Sequence, residues 1–200
     1  MVIAIARFVD RLNELIGKTA AWAIVAAILV SAINAIVRKV VGTSSNAWLE
    51  LQWYLFGATF MLGAAWTLRA NEHIRIDIIS SRLSKRARDW IDVFGHVFFL
   101  IPFAGLLAWL SVPYFELSFQ SGEASNSAGG LIIWPAKGLI ALGFILLLLQ
   151  ALSELAKRLA IIAGALEDEA RPGGHGAPPE HDSTPPASTP PHTAPPHTDR

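Results

Sequence analysis

The chain lacks the residues and motifs on which several kinds of protein chemistry depend. It has 200 residues and no cysteine, which excludes disulfides, thiolate metal sites, iron–sulfur clusters and a thiol nucleophile. Its formal net charge is zero, so no basic excess indicates nucleic acid as a partner. It also lacks a phosphate-binding glycine loop, a Gly-x-Ser-x-Gly turn and a His-Glu-x-x-His helix. These absences favour a protein that is not an enzyme and holds no cofactor.

Apolar sequence, by contrast, is abundant, at 52% of the residues against 16% that are charged. A helix needs about 20 mainly apolar residues to cross a bilayer, and the sequence predicts four such spans at about 19–40, 47–68, 92–115 and 131–153. Soluble core helices would carry polar residues along one face, and long parts of these segments do not. Pro102 predicts a kink in the third span. The tryptophans fall near the predicted span ends, as in an aromatic belt: Trp22, Trp48, Trp53, Trp66, Trp90, Trp109 and Trp134.

Two segments flank the transmembrane domain, which is predicted over residues 18–160. Residues 1–17 have helical spacing of apolar residues, with Arg7, Asp10, Asn13 and Glu14 on the other side. This pattern predicts an amphipathic helix at the membrane surface, and it disfavours a cleaved signal peptide. Residues 161–200 are predicted to form a cytoplasmic tail, disordered from about 167, where proline becomes frequent. The predicted fold class is an all-α integral membrane protein.

The distribution of basic residues predicts the orientation, because lysine and arginine favour cytoplasmic loops. If the N-terminus is inside, only Arg38 and Lys39 lie in the outer loops. The inner side then carries all of the following: Arg7, Arg11, Lys18, Arg69, Arg75, Arg82, Lys85, Arg86, Arg88, Lys157 and Arg158. Both termini are therefore predicted to be cytoplasmic.

Polar residues at membrane depth are costly, so each is a functional candidate. Glu50 and Lys137 lie near the predicted outer ends of their spans, where they could pair with each other or bind a partner subunit. Asp92 and Glu154 lie at the inner ends, where we expect them to stay hydrated. The nearby His96 is expected to be a hydrogen-bonded packing residue rather than a haem ligand.

Small residues recur every four positions along the first span. Such ridges let helix backbones approach closely in lipid, but the pattern leaves open whether the neighbouring helix belongs to this chain or to another protein. The ridge consists of Thr19, Ala23, Ala27, Ser31 and Ala35.

Several motifs together resemble one family of membrane subunits. The second span begins Trp48-Leu49-Glu50-Leu51 and continues through Phe56-Gly57-Ala58 and Gly63-Ala64. The loop after it reads Arg69-x3-His73-Ile74-Arg75-Ile76-Asp77, and the fourth span opens with Gly129-Gly130-Leu131-Ile132-Ile133-Trp134-Pro135. From about Val37 to Ala160, the chain resembles the small membrane subunit (DctQ type) of tripartite ATP-independent periplasmic (TRAP) transporters. The proline- and histidine-rich tail has no counterpart in that pattern.

The resemblance implies a scaffold or anchoring subunit in the bacterial inner membrane. Its implied partners are a large multi-span permease subunit, which moves the solute with sodium, and a periplasmic substrate-binding protein, with membrane lipid around them. The solute would commonly be a carboxylate. The alternatives are a membrane-anchor subunit of an electron-transfer or enzyme complex and an independent four-helix structural or regulatory protein. The candidate structural or partner-interface residues are Glu50, Trp53, Arg69, His73, Arg75, Asp77 and Lys137.

Overall fold

The computed structural model describes residues 2–42, 45–70 and 84–165. The helices are α1 (Val2–Val41), α2 (Asn46–Ala70), α3 (Lys85–Gly95), α4 (Ile101–Ser121) and α5 (Trp134–Ile162), with a π-helical turn, His96–Leu100, between α3 and α4. In the described ranges the one β feature is an isolated antiparallel bridge between Ala124 and Ile132. The all-helical prediction is therefore confirmed for this part of the chain. His73, Arg75, Asp77 and the tail from residue 166 lie outside it.

Three stretches are long and apolar enough to cross a membrane: Ile3–Val41, Asp89–Ser121 and Trp134–Ile162. They contain the first and third predicted spans and most of the fourth. The second predicted span falls in α2, which has 25 residues but is less apolar because Gln52, Tyr54 and Thr59 interrupt it. A four-span topology therefore stays a prediction.

Helix α1 is continuous through the point where the sequence predicted a change from a surface helix to a span. Its buried positions include Ala6, Asp10, Asn13, Gly17, Ala20 and Ala27, which are three, four or seven residues apart, as on a packed helix face. One packing face thus runs from the N-terminal turns into the apolar part. The separate interfacial helix remains a prediction.

Helix α5 contacts every other helix of the bundle. It runs parallel to α2, with Gly143 against Met61; a Cβ atom on Gly143 would lie 2.9 Å from the Met61 carbonyl oxygen. It runs antiparallel to α4, where the rings of Phe103 and Phe144 meet edge to face at 6.4 Å. The close approach of α5 to α2 depends on a small residue, Gly143, as expected where helices associate in lipid.

The distribution of side chains is inverted relative to a soluble protein. The largest fully buried side chains are polar, namely Gln150, Asn13 and Ser118, whereas Phe60 and Trp109 are more than three-quarters exposed. Large apolar side chains on the outside and polar groups between the helices are what a lipid solvent favours.

A π-helical turn lies just before Pro102, where the sequence predicted a kink. The Ile101 N–H donates to the His96 carbonyl, a wider hydrogen bond than the α-helical one, and such turns often mark helix bends. His96 Nδ1 lies 2.7 Å from the Asp92 carbonyl oxygen. This contact fits the expected packing role of His96.

Candidate functional site

The first polar cluster, the loop clamp, joins the start of α2 to the segment between α4 and α5. Its centre is the buried Glu50 carboxylate. One carboxylate oxygen accepts a hydrogen bond from the Ser125 hydroxyl, and the other accepts from the Leu131 N–H at 2.6 Å. Hydrogen bonds to a charged acceptor are stronger than hydrogen bonds between neutral groups. The two bonds to Glu50 therefore fix this segment on α2.

Three further side chains near the start of α2 donate to carbonyl groups of the same segment. Ser45 Oγ donates to Gly129 at 3.0 Å, Asn46 Nδ2 to Ala128 at 3.1 Å, and the Tyr54 hydroxyl to Ile132 at 3.1 Å. Asn46, Glu50 and Tyr54 are four residues apart, so they lie on one face of α2. The sequence singled out Glu50 alone, although this spacing was a signal for the others.

Lys137 belongs to a neighbouring contact in this region. Its ammonium group pairs with the Glu123 carboxylate and lies 4.0 Å from the ring centre of Tyr114, within range of a cation–π interaction. The pairing of Glu50 with Lys137 that the sequence left open is therefore not the arrangement found, because each has other partners. Glu123 lies outside the predicted spans. The hydrogen bond from Lys137 lowers the pKa of its carboxyl group below the ordinary value.

The second polar cluster, the helix lock, joins α1 to α5 at the opposite end of the bundle. Asn13 Nδ2 donates to Gln150 Oε1 at 2.7 Å. Gln150 Nε2 in turn donates to Asp10 at 2.8 Å and to Glu154 at 3.1 Å. Gln150 is fully buried and Asn13 is 1% exposed, so an unpaired polar group here would be expensive.

Lys157 supplies the positive charge of the helix lock. Its ammonium group lies 2.8 Å from Asp10 and 2.6 Å from Glu154, while the Ser153 hydroxyl lies 3.1 Å from Asp10. The expectation that Glu154 is hydrated is wrong, because this residue is 5% exposed and bonded within the lock. A lysine between two carboxylates compensates part of the cost of burying them.

Three ion pairs extend the contacts at this end of the bundle to α2 and α3. Arg69 Nη1 lies 2.5 Å from Glu14 of α1. Arg158 pairs with Asp89 at 3.0 Å and with Asp92 at 2.8 Å, so Asp92 is ion-paired rather than only hydrated. The end of α5 thereby holds both α1 and α3.

The sequence-predicted residues thus divide between the two ends. Glu50 lies in the loop clamp, Lys137 beside it, and Arg69 on the edge of the helix lock; Trp53 is 68% exposed on α2. The main residues of the lock were missed because they looked like a solvated helix face or a hydrated span end. The signal that could have found them is the packing-face spacing of Ala6, Asp10 and Asn13.

Comparison with protein families gave one match. The family description "Tripartite ATP-independent periplasmic transporters, DctQ component" matches residues 27–160. No curated protein and no solved structure matches the chain. The family match covers α2 to α5 apart from the last two residues of α5, together with the part of α1 from Ala27 onward. It therefore includes the loop clamp and the α5 side of the helix lock. It covers more than half of the sequence, and the chain belongs to the DctQ family of transporter components.

Proposed function

We propose that this chain is the static scaffold subunit of a TRAP-type secondary transporter in the bacterial inner membrane. A large permease subunit binds and moves the solute, and a periplasmic binding protein delivers it. The solute is a carboxylate whose import is coupled to sodium. Both termini of the chain face the cytoplasm, which agrees with the bias of its basic residues. The family match supports the transporter class, and the following points support the scaffold role.

The observation that carries the scaffold role is that side-chain bonds join α1 to both α2 and α5, and α5 to α3. Asn13–Gln150 joins α1 to α5, Arg69–Glu14 joins α2 to α1, and Arg158–Asp89 joins α5 to α3. The Glu50 bond to Leu131 ties α2 to the segment that leads into α5. Helices cross-linked in this way hold one arrangement, which suits a fixed platform for a moving partner.

Partner contact is proposed for the exposed surface of α2 and for the loop after it. Trp53 presents a large, rigid, exposed side chain, the type that dominates binding interfaces. Arg69, His73, Arg75 and Asp77 are proposed to pin the cytoplasmic turn that follows α2. Alanine substitution of both His73 and Asp77 should then reduce assembly and uptake, and unchanged assembly and uptake would contradict this role.

The test is co-expression of the tagged chain with a large permease subunit and a binding protein of a TRAP transporter from the same organism. We expect the permease to co-purify in mild detergent, and carboxylate uptake to require this chain and a sodium gradient. Trp53→Ala should weaken co-purification, whereas Trp109→Ala, at a similarly exposed tryptophan on α4, should not. Purification of the chain without a permease, or with a haem absorption band, would favour the alternative functions.

A further inference from the structure

A groove runs along the outer surface of the bundle between α1 and α2. It consists of two adjoining cavities of about 480 Å³ and about 350 Å³, which share Ser31, Ala35 and Gln52 in their walls. The groove therefore follows the small-residue ridge of α1. Only part of that ridge is covered by this chain, since Ala27 is fully buried and Ala35 is exposed.

The chemistry of the groove changes along its length. The larger cavity is lined by Arg38 and Lys39 at the C-terminal end of α1. The smaller cavity is lined by Ala27, Ile28 and Phe56, among others. The described residues that line the two cavities include no acidic side chain. One end thus suits a negative charge and the other suits a hydrocarbon chain.

The length of the groove distinguishes between two kinds of occupant. Ala27 and Arg38 are 11 residues apart on one helix, which corresponds to about 16 Å at the α-helical rise. The hydrocarbon core of a bilayer is about 30 Å thick, so the groove extends through about one leaflet. A transmembrane helix of a partner would use a groove across the whole thickness, whereas one acyl chain occupies a single leaflet.

We propose that this groove binds an anionic phospholipid. Its phosphate group is held by Arg38 and Lys39, and one acyl chain lies against Ala27, Ile28 and Phe56. Basic side chains at the membrane surface attract anionic lipid, and long basic side chains reach the headgroup level from a helix end. Most basic residues of the chain lie on the predicted cytoplasmic side. The proposal also explains why Arg38 and Lys39 lie on the predicted outer side. It goes beyond the scaffold function and does not depend on which permease is bound.

The first test is native mass spectrometry of the full chain in non-ionic detergent with phosphatidylglycerol or phosphatidylcholine of the same acyl chains. We expect phosphatidylglycerol to be retained preferentially, and the double variant R38Q/K39Q to weaken its retention about tenfold or more. The control R7Q/R11Q removes the same charge from exposed positions near the other end of α1 and should retain the lipid. Equal retention by wild type and R38Q/K39Q would overturn the proposal.

A second pair of variants tests the apolar part of the groove. Ala35→Phe places a ring where both cavities meet and should displace the lipid. Ile36→Phe changes the next residue, which is exposed and does not line the groove, and should leave retention unchanged. If instead a Ser31→Cys variant cross-links efficiently to the co-purified permease, a protein helix fills the groove and the lipid proposal is wrong.

Discussion

The two ends of the bundle use buried polar groups in different ways. In the loop clamp, a single carboxylate binds a hydroxyl group and a backbone N–H of a connecting segment. In the helix lock, side chains of α1 and α5 bind each other, and Lys157 is shared by two carboxylates. The clamp positions a segment on one helix, whereas the lock sets the distance between helices. Loss of the lock should therefore affect the whole bundle, and loss of the clamp should remain more local.

The largest effect is expected from Lys157→Ala. The variant leaves Asp10 and Glu154 buried next to each other without their cation, and breaking a buried pair in this way costs about 3–5 kcal/mol. The free energy of unfolding, measured in mixed detergent micelles with increasing SDS, should fall by an amount near the lower end of that range because Lys157 is 19% exposed.

Lys18→Ala is the matched control for that experiment. Lys18 also pairs with a carboxylate on α1, Glu14, but its side chain is 60% exposed. Exposed ion pairs contribute about 0–1 kcal/mol, so this variant should unfold almost as the wild type does. If Lys157→Ala and Lys18→Ala lowered the free energy of unfolding equally, Lys157 in the helix lock would stabilise the bundle no more than a surface ion pair does.

Gly130→Ala in the loop clamp should lower the free energy of unfolding by a smaller amount. A Cβ atom at this position would lie 2.5 Å from Ser125 Cβ and 2.8 Å from Glu50 Oε1, so the alanine pushes the clamp residues apart. Overpacking of this kind costs about 1–3 kcal/mol, measurable by the same unfolding experiment.

Gly57→Ala is the control for Gly130→Ala. A Cβ atom on Gly57 meets nothing within 4 Å, and alanine is the better helix former by up to about 1 kcal/mol, so this variant should be neutral or slightly stabilised. A Gly130→Ala protein as stable as Gly57→Ala would show that the loop clamp tolerates rearrangement.

Glu50→Ala should have a smaller global effect and a clear local one. Its two partners lie in a connecting segment, where water can replace part of the lost hydrogen bonding. We expect faster protease cleavage between Gly122 and Gly130, with a change in global unfolding below that of Gly130→Ala. The exposed Glu116, which accepts a hydrogen bond from Gln120 of its own helix, provides the control Glu116→Ala. Equal cleavage rates in the two variants would contradict the clamp role of Glu50.

The helices of the bundle could largely be predicted from the sequence, but the pairing of their polar groups could not. Long apolar runs are sufficient to place most of α1, α4 and α5. Glu50, Lys137 and Arg69 were identified because a charge at a span end is conspicuous, yet their partners depend on how each helix is rotated about its axis. Asp10 and Asn13 were assigned to a solvated face because charged residues surround them. Hydropathy alone does not distinguish a polar face in water from a polar face bonded to a neighbouring helix.

The smallest effect is a pH dependence at the Glu123–Lys137 contact beside the loop clamp. The hydrogen bond from Lys137 lowers the pKa of Glu123 in the folded chain. A carboxyl group with a lowered folded-state pKa contributes stability that is fully present above its unfolded-state pKa and is lost as the pH falls through the folded-state value. The wild type should therefore lose stability relative to Glu123→Gln as the pH falls from about 5 toward 3, while the difference stays constant from about pH 6 to 8. Thermal unfolding in detergent measures this difference directly. The same comparison in a Lys137→Gln background should show a smaller acid dependence, and equal curves in the two backgrounds would mean that Lys137 does not stabilise the Glu123 carboxylate.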